Sequence, residues 1–236
     1  MIDKYVVLDL EMTGLSAKTD QVIEIGAVKI KDNQIVEAME CLVNPRCKIP
    51  TRVSELTGIT DEMVQLGRDR DEAIQELLCF IDGYTLVGQN INFDYSFLKQ
   101  WAVNHKLQLE VNACDTLKLA RVLLPAEQSK KLEDLCSYFG VERGREHRAL
   151  DDAIETWQIF EKLKTLALQR ENGETYLKPV PLTYKAKKQS PATPRQVERL
   201  REYRQIHQIE DEINWETLTK SEASRVMDKY ILIYGR

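Results

Sequence analysis

The beginning of the chain shows the apolar pattern of β-strands. Residues 5–10 form a short run rich in β-branched side chains, interrupted only by Asp9, and such a run is typical of a buried strand. Residues 21–30 and 35–43 contain similar apolar runs on either side of a polar turn at 31–33. The pattern therefore predicts three consecutive strands arranged as a meander.

Farther along, apolar residues recur every three or four positions, which indicates amphipathic helices. Thr60 or Asp61 is placed to cap a helix near Met63, and Asp115 or Thr116 to cap a later one. Helices are expected over these segments: 73–81, 94–102, 117–124, 132–139 and 150–166. Short apolar runs at 85–88 and 111–114 predict strands between them. Strands followed by alternating helices and strands predict an α/β fold with a mixed sheet flanked by helices.

The pattern changes near residue 171. Residues 178–194 contain four prolines and four lysines, which predicts an extended basic linker. Beyond it, capping boxes at 193–196 and 219–222 each open a helix. We therefore divide the chain into a main domain of residues 1–170, a basic linker of residues 171–192 and a small helical module of residues 193–236.

Charge is distributed unevenly along the chain. The formal net charge is −5, but residues 1–177 carry 21 Lys and Arg against 30 Asp and Glu, whereas residues 178–204 carry 8 against 2. An acidic body argues against coating nucleic acid through bulk electrostatics. It suits a phosphate-bearing substrate whose contact with the body is mediated by bound cations. For the basic linker and the helical module, contact with a nucleic-acid strand, docking of a partner and a solvated connection remain open.

Composition also predicts the compartment. No apolar run approaches the about 20 residues that a membrane helix needs, and Asp9 interrupts the first run before a signal-peptide core can form. The five cysteines lack Cys-x-x-Cys spacing, as expected for thiols in a reducing compartment. We therefore expect a cytoplasmic protein without a membrane partner.

Acidic residues accompany the first strand end. Asp9 and Glu11 are two positions apart, so both carboxylates point to one face of the strand. The tight turn Thr13-Gly14 follows and allows backbone to approach a ligand. Considered alone, the pair also fits a solvated strand end with two unrelated acids.

Two later segments add further candidates. Asp94 ends the segment 88–94, which follows a strand and opens a helix, where it could instead be a helix cap. His147 and Asp152 open the long helix, where a surface histidine and a first-turn acid are the alternatives. Together with the strand pair, these segments supply four acids and one histidine. An oxygen-rich cluster of this kind suits Mg²⁺ or Mn²⁺ rather than zinc.

Three spaced motifs carry a family resemblance. Asp9-x-Glu11-x-Thr13-Gly14, Asn90-x-x-Phe93-Asp94 and His147-x-Ala149-x-x-Asp152 resemble the motifs of the DEDDh 3′–5′ exonucleases, which include epsilon-type proofreading exonucleases and ribonuclease T. The resemblance covers roughly residues 3–168. It implies a ribonuclease H-like fold and an enzyme that hydrolyses phosphodiester bonds at the 3′ end of DNA, releasing nucleoside monophosphates in proofreading or repair. The implied partners are nucleic acid with a free 3′ end, chiefly single-stranded DNA, and a DNA polymerase.

The resemblance also implies residue roles. Four carboxylates are the implied ligands of two Mg²⁺ or Mn²⁺ ions about 4 Å apart: Asp9, Glu11, Asp94 and Asp152. His147 is the implied general base, because an imidazole exchanges protons near neutral pH. The implied contacts with the terminal nucleotide are Met12, Thr13, Asn90 and Phe93.

Two positions depart from the usual motifs. Met12 stands where many polymerase-type members have threonine, and the motif with methionine is also seen in oligoribonucleases. Gln89 stands where histidine is frequent. The segment 88–94 looks polymerase-type, which favours DNA as the substrate. An exoribonuclease or oligoribonuclease-like enzyme is the alternative. A nucleic-acid-binding or polymerase-docking protein with an inactive nuclease site is the alternative of another class.

Overall fold

The computed structural model describes residues 2–211, 213–216 and 218–235. These residues form one mixed sheet with flanking helices. The strands are β1 (Lys4–Met12), β2 (Val22–Lys31), β3 (Gln34–Asn44), β4 (Arg68–Asp69), β5 (Thr85–Gly88), β6 (Asn112–Asp115) and β7 (Val180–Pro181). The helices are α1 (Thr51–Thr57), α2 (Asp61–Gln65), α3 (Arg70–Ile81), α4 (Asn92–Asn104), α5 (Thr116–Leu123), α6 (Leu132–Phe139), α7 (Ala149–Leu168), α8 (Pro194–Ile206) and α9 (Lys220–Tyr234). A 3₁₀ helix covers Gly173–Leu177.

The strand order in the sheet is β4-β3-β2-β1-β5-β6-β7. Strand β2 is antiparallel to both β1 and β3, as the meander prediction required. Strands β5 and β6 then run parallel to β1, because helices connect them. The predicted α/β fold, with a mixed sheet flanked by helices, is confirmed.

The alternation of side chains along β1 divides the core into two layers. Val6 and Leu8 point into a layer that α3 and α4 cover, whereas Tyr5 and Val7 point into a layer that α5, α6 and α7 cover. Because side chains alternate with a period of two, the odd-numbered acid Asp9 faces the α7 side. The central strand therefore directs its acidic end toward the long helix.

Most helix starts follow from their caps. The Thr60 side chain accepts a hydrogen bond from Met63 N, and Asp115 accepts from Leu117 N and Lys118 N, as the capping predictions required. Helix α1 was missed. It begins after Pro50 without a side-chain cap, so the sequence offers no capping signal there.

The segment that follows the main body is extended but attached to it. Strand β7 pairs with β6, and Leu182, 4% exposed, inserts into the layer under α4. The two capping boxes at Thr193 and Thr219 open α8 and α9, which enclose a separate apolar cluster. No helix in the described ranges is long and apolar enough to cross a membrane. The three-part division of the chain stays a prediction.

Candidate active site

The carboxyl end of β1 carries two acidic side chains on one face. Asp9 and Glu11 are both half-buried and project to the side that α7 covers. Between β1 and β2 the pairing shifts register immediately after Glu11, where Ile23 of β2 has no partner on β1. An extra residue of this kind bends the strand that carries it and is frequent beside active sites. The strand end thus directs two carboxylates at the beginning of α7.

Asp94 reaches the same strand end from α4. Its Oδ1 accepts a hydrogen bond from Leu10 N at 3.1 Å, the backbone group between the two strand acids. The turn before α4 is held by Asp115, whose Oδ1 accepts from Asn90 N at 3.2 Å. Asn90 has a left-handed φ of 58°, a conformation that asparagine tolerates better than most residues. The turn therefore positions the Asp94 side chain beside the end of β1.

The start of α7 supplies the remaining candidates. Ligand atoms of Glu11, His147 and Asp152 all lie within 4.8 Å of one another. His147 has a left-handed φ of 53°, so the chain reverses sharply before the helix. The neighbouring Asp151 instead accepts hydrogen bonds from the Arg145 backbone and side chain. Of the two adjacent aspartates, the structure thus brings Asp152 to the strand acids.

A buried ion pair holds the beginning of α7 on β2. Glu24 is 0% exposed, and its Oε1 accepts from Nε and Nη2 of Arg148 at 2.9 and 2.6 Å. Its Oε2 accepts from Ala149 N at 2.9 Å, so this carboxylate satisfies a free amide of the first helical turn. Because Arg148 adjoins His147, the pair fixes the backbone from which the imidazole projects.

A close backbone contact accompanies that ion pair. Gly26 lies opposite Asp9 in the ladder, and a Cβ built on Gly26 would lie 2.0 Å from the carbonyl carbon of Ala149. Only a residue without a side chain lets the first turn of α7 lie this close to β2. The distance between the strand acids and the helix acids depends on this contact.

A second buried carboxylate organises the loop before His147. Glu155 is 2% exposed, and its two oxygens accept from Arg143 Nε at 3.1 Å and from Gly144 N at 2.9 Å. Nη2 of Arg143 also lies 3.6 Å from Oδ1 of Asp152. The loop is therefore tied to α7 by a second ion pair.

Crowding of carboxylates perturbs their protonation. Burial, followed by the charge of Asp152, raises the pKa of Glu11 to about 8, and burial raises the pKa of Asp94 to about 7. Burial, with the nearby Glu155, raises the pKa of Asp152 to about 7. For Asp9, burial and then Asp94 and Glu11 raise the pKa well above its ordinary value. Such a group is costly to ionise without a compensating positive charge.

The donor set fits a hard divalent cation. Glu11, His147 and Asp152 offer ligand atoms within 4.8 Å of one another, and the charges of Asp94, Glu11 and Asp152 act on Asp9. Hard cations such as Mg²⁺ and Mn²⁺ prefer oxygen ligands. Oδ1 of Asp152 is buried and lacks a hydrogen-bond partner among the described residues. Buried polar atoms are normally satisfied, so an acceptor left open at this position suits a metal ligand.

The candidate nucleotide contacts border the same strand end. Met12 and Thr13 are 7% and 5% exposed, and Thr13 is fixed because its N donates to the Gln21 carbonyl at 2.8 Å. Phe93 is half-buried and packs edge-to-face on Phe97, with ring centroids 5.5 Å apart. Asn90 is exposed. Phe93 and Asn90 are therefore accessible, whereas Met12 mainly fills the core.

The fold and this acidic strand end define a class of protein, an α/β domain with a candidate metal centre at the end of its central strand. The family follows from comparison with known proteins. A family model described as Exonuclease (RNase_T) matches residues 6–160, so the chain belongs to the exonuclease family. The resemblance of its motifs to those of the DEDDh exonucleases is thereby confirmed.

Two sequence relatives are DNA polymerases by name. DNA polymerase III PolC-type of Thermotoga petrophila is 42% identical over 174 residues, which cover 73% of this chain and 12% of that protein. The Bacillus subtilis protein of the same name is 38% identical over 179 residues, covering 74% of this chain and 12% of that protein. The chain therefore matches a small part of the length of these curated relatives.

Solved structures share the fold. Exonuclease X in complex with 5′ overhanging duplex DNA has a TM-score of 0.55 at 24% identity, covering 68% of this chain and 91% of that chain. The nuclease domain of 3′hExo, a DEDDh family member, bound to rAMP, has a TM-score of 0.60 at 19% identity, covering 69% and 92%. The predicted ribonuclease H-like fold is confirmed.

Several residues that build the site were missed from the sequence. Glu24 and Glu155 are both buried, and each carries an arginine partner. The signal was a single charged residue inside an otherwise apolar pattern: Glu24 stands within the run 22–28, and Glu155 lies three positions after Asp152 on α7. Buried unpaired charges are costly, so such positions indicate ion pairs whose partners only the fold identifies.

Proposed function

We propose that this protein is a divalent-metal-dependent 3′–5′ exonuclease that removes nucleoside monophosphates from DNA. The observation that carries the proposal is the convergence of Glu11, His147 and Asp152 within 4.8 Å, beside Asp94 tethered to β1. Family membership supports phosphodiester hydrolysis, and the donor set supports the use of a metal.

Each candidate residue then has a role. Asp9, Glu11, Asp94 and Asp152 would together hold two Mg²⁺ or Mn²⁺ ions. Such ions, when bound, stabilise charge on the scissile phosphate and the attacking and leaving oxygens. His147 would accept the proton of the attacking water, a task that requires its imidazole within hydrogen-bond reach of that water. The closeness of His147 to Glu11 supports this role.

The terminal nucleotide would lie between the strand end and α4. Phe93 offers a half-buried ring for stacking on the last base, and Asn90 an exposed amide for hydrogen bonds. Thr13, fixed by its backbone hydrogen bond to Gln21, would present backbone groups to the terminal sugar. Met12 would contribute the apolar wall beside it.

DNA is the proposed substrate because the sequence relatives are DNA polymerases by name. An exoribonuclease remains the alternative. Two features favour this alternative: Met12, which gives the motif the form also seen in oligoribonucleases, and the similarity of the fold to a nuclease domain bound to rAMP. A DNA polymerase is the proposed partner. All five cysteines are free, which supports a reducing compartment and hence the cytoplasm.

Labelled single strands test the proposal. We expect 5′-labelled single-stranded DNA with Mg²⁺ to give a ladder that shortens from the 3′ end, with nucleoside monophosphates as products. EDTA should abolish the ladder and added Mn²⁺ should restore it. Faster degradation of RNA would favour the exoribonuclease alternative. Binding without any product, in DNA and RNA alike, would favour a binding module with an inactive site.

A further inference from the structure

The segment of residues 183–189 lies along α4 and starts beside the candidate active site. Thr183 N donates to Oδ1 of Asn92, at the first turn of α4, at 3.3 Å. Gln100 Nε2 donates to the Lys187 carbonyl at 2.9 Å, and Gln189 N donates to Oδ1 of Asn104, the last residue of α4, at 2.9 Å. We call residues 183–189 the lysine segment. Its backbone is anchored at both ends and near its middle.

The anchoring determines which side chains face solvent. Tyr184 and Ala186 are half-buried against the protein, whereas Lys185, Lys187 and Lys188 are exposed. In an extended chain, side chains two positions apart point the same way, about 6.6 Å apart. Lys185 and Lys187 therefore project outward on one side, at positions that the hydrogen bonds to α4 hold in place.

These lysines are not neutralised by the protein. Among the described residues, no carboxylate lies within ion-pair distance of Lys185, Lys187 or Lys188. Residues 178–188 contain four lysines and no acid, whereas residues 1–177 have nine more acids than bases. A polyanion that approaches this acidic body therefore meets a row of positive charges, held in place by α4, that begins beside the candidate active site.

The segment also borders the loop that follows the strand acids. Gln189 Nε2 donates to the carbonyl of Lys18, whose side chain is exposed. This loop continues from Thr13, a proposed nucleotide contact. The end of the lysine segment at Asn104 is therefore joined to the loop that leads away from Thr13.

We propose that the lysine segment is a binding site for the sugar-phosphate backbone of the substrate strand, on the 5′ side of the nucleotide being removed. The inference rests on the proposed function, because it requires a strand whose 3′ end lies at the metal site. From Asn92 to Asn104, α4 is about 18 Å long at 1.5 Å per residue. That length corresponds to a few nucleotides of an extended single strand, so the segment would contact the strand beyond its terminal nucleotide. The contacts are with phosphates, so the site adds affinity without reading base sequence.

Salt dependence of binding measures these contacts. The test variant is Lys185→Gln/Lys187→Gln/Lys188→Gln. Its matched control is Lys4→Gln/Lys31→Gln/Lys162→Gln. The control removes the same charge from three exposed lysines. Lys4 and Lys31 are ladder partners at the end of β1 away from the candidate active site, and Lys162 lies in the second half of α7. Affinity is measured by fluorescence anisotropy for oligodeoxynucleotides of 2 to 12 nucleotides, protected by 3′-terminal phosphorothioates.

Each phosphate contact with a single strand contributes about 0.7 to the slope of log K against log salt. Losing two or three contacts should lower the slope for the 12-mer by about 1.4 to 2. Between 50 and 200 mM salt, the wild type should therefore lose about 7 to 18 times more affinity than the test variant. The control should keep the wild-type slope. The 2-mer is too short to reach the segment, so its affinity should depend on the lysines much less.

Two results would overturn the inference. One is a test variant with the wild-type slope on the 12-mer, which would make the segment a solvated connection. The other is an equal decrease of the slope in the control, which would mean that the slope depends on net charge and not on the position of the lysines. Hydrolysis by the wild type is assayed separately on a 5′-labelled strand. If the strand binds through the lysines but is not shortened, the proposed function fails while the binding site stands.

Discussion

Gly26 is the position where a single methyl group should damage the site most specifically. In Gly26→Ala the new Cβ would lie 2.0 Å from the Ala149 carbonyl carbon and 2.2 Å from Leu150 N. Both neighbours are backbone atoms, so no side-chain rotation can relieve the overlap. Ordinary contact begins near 3.4 Å. The start of α7 must therefore move away from β2 by roughly 1.4 Å, or β2 must yield by the same amount.

That displacement separates the two halves of the site. Asp9 and Glu11 belong to β1, which pairs with β2, whereas His147 and Asp152 move with α7. A misplacement of about 1 Å among reacting groups can cost about 10²-fold in rate. We expect kcat/KM on single-stranded DNA to fall by about 10²-fold or more in Gly26→Ala. Overpacking of this kind costs about 1–3 kcal/mol of stability, so the variant should still fold.

The control separates site damage from loss of stability. Gly83 has a φ of 75° and no atom within 4 Å of its built Cβ, and it precedes β5 at the end of the sheet away from the site. Gly83→Ala should therefore lower stability by about 1 kcal/mol through backbone strain and leave kcat/KM nearly unchanged. Urea unfolding and steady-state kinetics are measured on both variants. A folded Gly26→Ala protein with wild-type kcat/KM would refute the reasoning.

Other variants test individual parts of the site. His147→Ala should lower kcat by about 10²–10⁴-fold while Mn²⁺ affinity, measured by calorimetry, stays nearly constant; a parallel loss of affinity would make the imidazole a ligand. Glu24→Gln removes the buried partner of Arg148, which keeps only Glu40 at 3.7 Å, and should lower the free energy of unfolding by about 3 kcal/mol, measured in urea. A loss below about 1 kcal/mol would mean that the pair does not hold α7 on β2. Burial raises the pKa of Glu11 from 4.5 to about 8 and that of Asp152 from 3.8 to about 7. The contribution of these two groups to the stability of the metal-free fold is therefore fully present below about pH 4. It is lost as the pH rises to about 8, because the folded protein must then ionise them. Mg²⁺ should therefore raise the Tm more at about pH 8.5 than at about pH 5.5; an equal rise at both values would contradict the assigned cause.

The fold was largely predictable because its signals are local. The apolar runs around Val6, Val28 and Val87 predicted strands, and Thr60, Asp115 and the capping boxes predicted helix starts that the structure confirms. Strand β7 could not be predicted in this way. Its two residues include Pro181, and the pairing depends on β6, which is distant in sequence.

The residues of the candidate site were predicted from the sequence, whereas the residues that support them were not. Spaced motifs at strand ends and helix starts predicted the four acids and His147, and their roles stay a prediction. The distances among them depend on Glu24, Arg148 and Gly26, whose partners come from another element. Long-range ion pairs and close backbone contacts leave no periodic pattern. Whether a glycine in an apolar strand tolerates a methyl group is visible only once the opposing helix is in place.

The central claim is that one metal-binding centre joins β1, α4 and α7. Its most direct test is a crystal structure of the protein grown with Mn²⁺ and a nucleoside monophosphate, with manganese located by anomalous scattering. We expect manganese at Asp9, Glu11 and Asp152, with Asp94 at a neighbouring ion and His147 facing the phosphate. Manganese bound elsewhere, or an anomalous map without a peak at the end of β1 in an otherwise ordered crystal, would contradict it.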